Sequence, residues 1–298
     1  MCFAIYLDVN RELGSTIYLY GKEATFTNFI WTFLRECAKK MIATRRLISL
    51  LPATLLMASR GMALAAGQQL RATPLDTIGQ PGVTLLPESG EYSKVVVWMH
   101  GLGDTAHGWA ELMPMLEIGD TKFVLPTAPE RPITLNGGYR MPGWSDIYSL
   151  SDKSEEDRTG FEESAQRVTE LIQAELDKGV ESKKIIVGGF SQGGALALHV
   201  SLRAKYKLAG CCALSTWLPL REDYPGVISE EAKTSLKLFQ AHGEIDEVVQ
   251  YKWGRESHDS LKEWLAAEME FMPIPGMGHS SDPSEVEALR AVIQKWLA

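Results

Sequence analysis

The chain has 298 residues, of which 45% are hydrophobic and 23% are charged; these values exclude wholesale disorder, a collagen and a polytopic membrane protein. A formal net charge of −8 without a basic stripe argues against nucleic-acid binding. Four cysteines are too few for a disulfide scaffold and indicate free thiols in a reducing compartment. No pair of C-x-x-C motifs, H-E-x-x-H motif or Cys/His cluster suggests a metal site, so the sequence predicts no metal.

The first 75 residues differ in composition from the rest and are interpreted as an extension outside the fold. No acidic residue lies between Glu36 and Asp76, and the apolar run 47–58 is too short to span a bilayer, which takes about 20 residues. Residues 41–66 have the basic start, apolar middle and small residues of a secretory signal peptide, and they fit a mitochondrial presequence equally well. A poorly ordered extension or a misplaced start codon is the other interpretation. We expect a cytoplasmic protein, or a mitochondrial or secreted one if residues 41–66 act as a leader.

From residue 76 to the C-terminus, strand-like and helix-like segments alternate. Short, continuously apolar runs are typical of strands that are buried on both faces; they lie at 94–99, 123–125, 184–187, 208–214, 236–241 and 269–274. Apolar residues at helical spacing predict helices, and these lie at 161–176, at 195–203 and after Asp282. Strands and helices that alternate in this way predict one α/β domain, residues 76–298, with a mostly parallel sheet.

The segment Gly189-Phe190-Ser191-Gln192-Gly193 reads G-x-S-x-G between a predicted strand and a predicted helix. A nucleophile elbow requires that setting, in which glycines permit a sharp and strained turn. Ser191 then stands at the carboxyl end of the sheet and at a helix N-terminus, where negative charge is favoured. The alternative interpretation is a glycine-rich turn with a helix-capping serine.

A nucleophilic serine needs a base, and six histidines are present. In hydrolases with such an elbow, the acid and then the histidine follow the serine along the chain. His199 lies on the helix that follows Ser191, His242 closes a strand, and His258 lies in a charged helix, where we expect it to be solvated. His279 lies in a glycine-flanked loop that leaves the carboxyl edge of the sheet, and it is the predicted base. The alternative for His279 is a loop histidine that bonds the backbone.

Three carboxylates follow the strand at 236–241 and compete for the role of the acid that orients the imidazole. Asp246 is favoured over Glu244 and Glu247 because it is shorter and stiffer and precedes an apolar Val-Val pair. The two glutamates are expected to face water. Sequence spacing by itself leaves the choice open.

An oxyanion hole needs two fixed backbone N–H donors. The residue after the nucleophile, Gln192, is expected to supply one of them. Leu102, in the loop His100-Gly101-Leu102-Gly103-Asp104 after the most apolar strand, is expected to supply the other. An ordinary glycine turn is the alternative interpretation of this loop.

Several motifs, in the same order along the chain, resemble the acyl-protein thioesterase / lysophospholipase-like carboxylesterase family of α/β-hydrolases. They are HGLGD at 100–104 with Gly108-Trp109, PTAP at 126–129, MPGW at 141–144, GGFSQGG at 188–194, Ala209-Gly210, LS at 214–215, WLPL at 217–220, HG-x-x-D at 242–246 and GHSS at 278–281. The resemblance covers about residues 77–298. It implies an α/β-hydrolase fold with helices on both faces of the sheet and a Ser191–Asp246–His279 triad that needs no cofactor.

The resemblance also implies an activity. It implies hydrolysis of fatty-acyl thioesters on protein cysteines, with esterase activity on small esters or lysophospholipids. S-acylated proteins would then be the partners, with transient association at a membrane surface. By position, Leu102, Trp144 and Leu218 line the acyl channel, and residues 133–141 form part of its wall. Plain core packing is the alternative for Trp144 and Leu218.

Two residues depart from the family pattern. Glu247 stands where relatives usually carry proline after the acid, and Ser145 stands where an aromatic residue is common. Both changes leave the chemistry in place and bear on which acyl chain is preferred. A small-molecule carboxylesterase without a protein substrate and a catalytically inactive acyl-binding protein are the rival interpretations.

Overall fold

The computed structural model describes residues 7–8, 16–17, 70–75, 81–150 and 155–298. The chain divides into two units, Met1–Leu64 and Ala65–Ala298. In the first unit, the short strands β1 (Leu7–Asp8) and β2 (Thr16–Ile17) pair antiparallel. The leader predicted at 41–66 lies outside the described residues, so its role stays a prediction.

Ten described strands make up the β-structure of the second unit. In chain order they are β3 (Leu70–Leu75), β4 (Gly82–Pro87), β5 (Lys94–Met99), β6 (Thr121–Leu125), β7 (Glu130–Ile133), β8 (Tyr139–Pro142), β9 (Ile185–Phe190), β10 (Gly210–Leu214), β11 (Leu238–Gly243) and β12 (Met269–Ile274). Strands β7 and β8 form a separate antiparallel hairpin, and the other eight form one sheet in the order β12-β11-β10-β9-β5-β6-β4-β3. Neighbours pair in parallel except at β4, which is antiparallel to both β3 and β6.

Helices cover both faces of this sheet. In the described part they are α1 (Ala106–Ala110), α2 (Arg158–Asp177), α3 (Gln192–Arg203), α4 (Glu230–Ser235), α5 (Tyr251–Trp264) and α6 (Pro283–Leu297). Helices α2 to α5 contribute to one buried apolar cluster, and α1 and α6 contribute to a second one. The mostly parallel α/β architecture with helices on both faces is therefore confirmed.

Strand β5 explains why the core has two halves. Val95 and Val97 pack in one cluster, whereas Val96 and Trp98 pack in the other, because successive side chains of a strand point to opposite faces. All four are at most 1% exposed. The strand is thus buried on both sides, as its continuous apolar run predicts.

The sheet begins earlier than the composition predicts. Strand β3 starts at Leu70 and pairs along its whole length with β4, six residues before the boundary at 76. Its side chains are all exposed or half-buried, which is typical of a strand at the edge of a sheet. The described fold therefore reaches into the segment that the sequence assigns to an extension.

His258 corrects a second expectation. Helix α5 begins at Tyr251, and its His258 is buried, with ring Nδ1 3.0 Å from Gln240 Oε1. Gly254, His258 and Leu261 form the stripe that faces the sheet at helical spacing, while the charged neighbours of His258 remain exposed. The expectation that His258 is solvated is wrong, because a high content of charged residues in a helix does not show which of its residues face the core.

The parallel strands open a common edge at their carboxyl ends, where ligands bind in folds of this kind. Met99 of β5 lies opposite Gly189 of β9, and Gly243 of β11 lies opposite Ile274 of β12. The chain therefore leaves each pair of strands at the same level. The loops that follow β5, β9, β11 and β12 are the ones that carry the predicted site residues.

Glu285, in the first turn of α6, is a fully buried carboxyl group. Burial raises the pKa of Glu285 to about 8, and the nearby Asp282 carboxylate contributes in the same direction. The folded chain then keeps this proton while the unfolded chain releases it above about pH 4.3. Because the folded state binds the extra proton, the free energy of unfolding falls as the pH rises from about 5 to about 8.

We expect Glu285→Gln to remove this loss of stability. The apparent Tm at pH 8 should rise by about 5 °C or more relative to the wild type, with little change at pH 5. Thermal unfolding curves at both pH values measure the effect. Glu287→Gln, at an exposed position of the same helix, is the matched control. Equal shifts in the two variants, or no shift at pH 8 in Glu285→Gln, would contradict the prediction.

Candidate active site

Ser191 lies at a sharp turn between β9 and α3. Its backbone has φ +55°, in the left-handed region, and its N–H donates to the Leu214 carbonyl at 2.8 Å. A Cβ on Gly193 would lie 2.3 Å from the Met99 carbonyl oxygen, and one on Gly189 would lie 2.5 Å from the Gly193 backbone. The turn therefore requires both glycines of the G-x-S-x-G motif. It has the strand–turn–helix geometry of a nucleophile elbow.

The structure brings His279 to Ser191 across 88 residues of chain. The Ser191 Oγ lies 2.9 Å from His279 Nε2, and His279 Nδ1 lies 2.7 Å from Asp246 Oδ2. Both distances are those of hydrogen bonds. In the tautomer with the proton on Nδ1, the imidazole donates to the carboxylate and accepts from the serine hydroxyl.

Asp246 is fixed by four contacts. Its Oδ1 accepts the backbone N–H groups of Val248 and Val249, each at 2.9 Å, while Oδ2 accepts from His279 and lies 3.4 Å from His242 Nε2. Burial by itself raises the pKa of Asp246, but the contacts with His242, His279 and the Val248 N–H outweigh it and hold the pKa well below its ordinary value. Asp246 is therefore ionised at neutral pH.

The loop conformation separates the three carboxylates that compete in the sequence. Glu244 and Glu247 are exposed, whereas Asp246 is buried and contacts the imidazole. His242, the first residue of the HG-x-x-D motif, enters the sequence prediction only as a candidate base. In the structure its Nε2 donates to the Val249 carbonyl at 2.8 Å, and Gly254 of α5 packs against its ring. His242 thus supports the acid loop, and the HG-x-x-D spacing is the signal that links the two residues.

Phe190 is a site residue that the motif analysis missed. Its ring centroid lies 4.8 Å from that of His279, and it also packs on Trp109 at 5.5 Å. The imidazole is thus packed against the tilted Phe190 ring and hydrogen-bonded to Asp246. Its place directly before Ser191, at the first x of G-x-S-x-G, is the signal that could have pointed to it.

The loop of the predicted oxyanion donor lies beside the nucleophile. A Cβ on Gly101 would lie 3.4 Å from the Ser191 Cβ, and Leu102 follows directly. Gln192 is the first residue of α3, so its backbone N–H has no acceptor within the helix. The two chain segments that carry the predicted donors therefore flank Ser191, and their roles in catalysis stay a prediction.

The predicted channel residues lie in different environments. Leu102 is half-buried and its side chain packs close to Gly143, whereas Trp144 and Leu218 are 2% and 3% exposed within the core. The Trp144 ring N–H donates to the His100 carbonyl, and the Leu218 N–H donates to Ser257 Oγ, both at 2.8 Å. The channel role of these side chains stays a prediction.

The described ranges show neither a metal-binding cluster nor a membrane-spanning helix. No cluster of three or more His, Cys, Asp or Glu residues that could hold a metal ion is present in them. Among the helices described, none is long and apolar enough to cross a membrane.

Comparison with known proteins agrees with this geometry. The sequence model of the phospholipase/carboxylesterase family matches residues 84–297. The chain belongs to that family. It is a serine hydrolase of the α/β-hydrolase superfamily.

Relatives of the hydrolase carry more specific names. It is 40% identical over 215 residues to acyl-protein thioesterase 1 of Neurospora crassa, covering 69% of this chain and 87% of the relative. It is 42% identical over 226 residues to acyl-protein thioesterase 1 of Mycosarcoma maydis, covering 70% and 94%.

Solved structures also resemble the hydrolase. Acyl-protein thioesterase 2 of Zea mays has a TM-score of 0.64 at 30% identity, covering 76% of this chain and 99% of that one. SOBER1 of Arabidopsis thaliana has a TM-score of 0.65 at 29% identity, covering 69% and 99%.

Proposed function

We propose that this hydrolase removes fatty-acyl groups from protein cysteines by hydrolysing the thioester, and that it also cleaves oxyesters of similar shape. The observation that carries the proposal is the hydrogen-bonded series Ser191–His279–Asp246 at the carboxyl edge of the sheet. The names of the relatives at 40–42% identity support the thioester as substrate.

The acylation step uses the three side chains in order. His279 Nε2 takes the proton of the Ser191 hydroxyl as Oγ attacks the acyl carbon, and Asp246 stabilises the imidazolium that forms. The negative oxygen of the tetrahedral intermediate is held by the backbone N–H groups of Leu102 and Gln192. The C–S bond then breaks, His279 returns the proton to the departing cysteine sulfur, and the acyl group remains on Ser191.

Deacylation repeats the same chemistry with water. His279 removes a proton from water, the resulting hydroxide equivalent attacks the acyl-serine, and Ser191 leaves with the proton that His279 returns. The fatty acid is released. A thiolate leaves more readily than an alkoxide, so hydrolysis of a thioester depends less on protonation of the leaving group by His279. The same site therefore accepts both thioesters and oxyesters.

A matched pair of substrates tests the proposal. We expect the purified full chain to hydrolyse an S-palmitoylated peptide with a higher kcat/KM than a short aryl ester, and also to cleave the peptide in which serine O-palmitate replaces the thioester. A fluorophosphonate probe should label Ser191 alone, as read by peptide mass spectrometry. A preference for the aryl ester would favour a small-molecule carboxylesterase. Palmitate binding without turnover would favour an inactive acyl-binding protein.

The partners and the compartment belong to the proposal as well. S-acylated proteins are the proposed partners, met in transient association at a membrane surface. A cytoplasmic location stays a prediction. The intact mass of the protein purified from its native source tests it, because removal of residues up to about 65 would mark the segment at 41–66 as a leader instead.

A further inference from the structure

Trp144 contacts both chain segments that flank Ser191. It is 2% exposed and directly follows Gly143, beyond the end of β8. Its backbone N–H donates to Gln192 Oε1 at 2.8 Å, and its indole N–H donates to the His100 carbonyl at 2.8 Å. One residue is therefore hydrogen-bonded to the helix start that carries one predicted oxyanion donor and to the loop that carries the other.

The His100 end of this connection is held firmly. The His100 Nε2 accepts the Ala128 N–H at 3.0 Å, so the ring proton is on Nδ1, which donates to the Gly101 carbonyl at 2.6 Å. Burial lowers the pKa of His100 and keeps the ring neutral, against a smaller raising effect of the Gly101 carbonyl. The Gly103 N–H donates to the Pro142 carbonyl at 2.8 Å. The peptide groups on both sides of Leu102 are therefore each held by a hydrogen bond, one from the His100 ring and one to the Pro142 carbonyl.

The Gln192 end is equally well defined. Its side chain is 1% exposed, and its Nε2 donates to the Ser145 carbonyl at 2.8 Å and to Ser145 Oγ at 3.0 Å. With Oε1 accepting from Trp144, both polar atoms of the amide are satisfied inside the protein. The side chain is therefore not available to a substrate. The hydroxyl of Ser145 supplies one of these contacts.

We propose that Trp144 is a positioning residue for the oxyanion hole, because it fixes the distance between the Leu102 N–H and the Gln192 N–H through one rigid indole and one backbone N–H. The inference rests on the proposed function, since it concerns the oxyanion of that reaction. Donors of this kind act only when they are held in place before charge develops, and losing one costs about 10²–10³ in kcat. Loosening one donor costs less than losing it.

The test removes the indole N–H and keeps an aromatic ring. We expect Trp144→Phe to lower kcat by about 10- to 100-fold on both the thioester and the oxyester, with KM changed less than about threefold. Affinity for an alkyl boronic acid, which forms a tetrahedral adduct on Ser191, should fall by a similar factor. Affinity for the product fatty acid should stay near that of the wild type, because the ground-state complex carries no oxyanion.

Trp98→Phe is the matched control. Trp98 is 1% exposed, and its indole N–H has no hydrogen-bond partner in the described part of the chain. The control therefore makes the same change of volume in the core without cutting a hydrogen bond. We expect it to keep kcat and boronate affinity within about threefold of the wild type, even if its Tm falls as far as that of Trp144→Phe.

Two results would overturn the inference: unchanged kcat and boronate affinity in Trp144→Phe, or equal losses in Trp98→Phe. If Trp144→Phe does not fold, Gln192→Met serves in its place, because it removes the hydrogen bond from the Trp144 backbone N–H to Gln192 Oε1 and keeps the backbone N–H of residue 192. Unchanged boronate affinity in Gln192→Met would then overturn the inference. A wild type that hydrolyses neither substrate would count against the proposed function. The boronate comparison would still decide the role of Trp144.

Discussion

Ser191→Ala should lower kcat on the acyl thioester by at least about 10⁴-fold and leave the fold intact. The Ser191 Oγ is the only atom removed, and among the described residues it bonds only His279. Alanine keeps the Cβ and so tolerates the φ of +55° as serine does. Steady-state kinetics and a thermal unfolding curve measure the two parts of the expectation, and the fluorophosphonate probe should no longer label the protein.

Ser215→Ala provides the control for that experiment. Ser215 also lies just after a strand of the sheet, is buried, has a positive φ of 46°, and its Oγ has no hydrogen-bond partner within the described ranges. We expect this variant to keep its activity. Hydrolysis that survives in Ser191→Ala, or that disappears equally in Ser215→Ala, would move the nucleophile elsewhere.

Asp246→Asn should lower kcat by about 10³- to 10⁴-fold, with a much smaller change in KM. An asparagine amide can donate to His279 Nδ1, and the tautomer this selects carries its proton on Nε2, where it cannot accept the proton of Ser191. Stability should fall as well. Because the pKa of Asp246 is depressed in the fold, the carboxylate adds stability above the unfolded pKa of about 3.9, and this contribution is lost as the pH falls towards the folded pKa.

Glu247→Gln is the neighbour that tests the choice of acid. Glu247 is exposed, so its neutralisation should change kcat by less than about twofold and leave the Tm nearly constant. The pH dependence of unfolding should separate the two variants, with the Tm deficit of Asp246→Asn largest at neutral pH and shrinking as the solution becomes acidic. An Asp246→Asn enzyme within tenfold of the wild type, or a Glu247→Gln enzyme with the larger defect, would reverse the assignment.

The places of Ser191 and His279 in the fold could be predicted because each depends on a local sequence pattern. The apolar run before Gly189 fixes a strand end, the glycines fix the turn, and the loop around His279 follows another strand. Parallel strands then place these loops at one edge without further information. The mostly parallel sheet follows from the same reasoning, since the runs are short, buried and separated by helices.

The remaining features depend on contacts that no local pattern contains. The choice among Glu244, Asp246 and Glu247 needed the loop conformation, in which two backbone N–H groups capture Asp246 Oδ1. The burial of His258 depends on Gln240 of a neighbouring strand. Strand β3 has only exposed and half-buried side chains, and so lacks the continuous apolar run that marks the central strands.

The spacing between nucleophile and base has a consequence for synthesis of the protein. Ribosomes deliver Ser191 into solution long before they deliver His279, which comes 88 residues later, and α6 follows still further on. A chain that ends before His279 lacks the proposed base, so its Ser191 is an ordinary alcohol. Translation products that stop before residue 279 would therefore lack the proposed hydrolase activity.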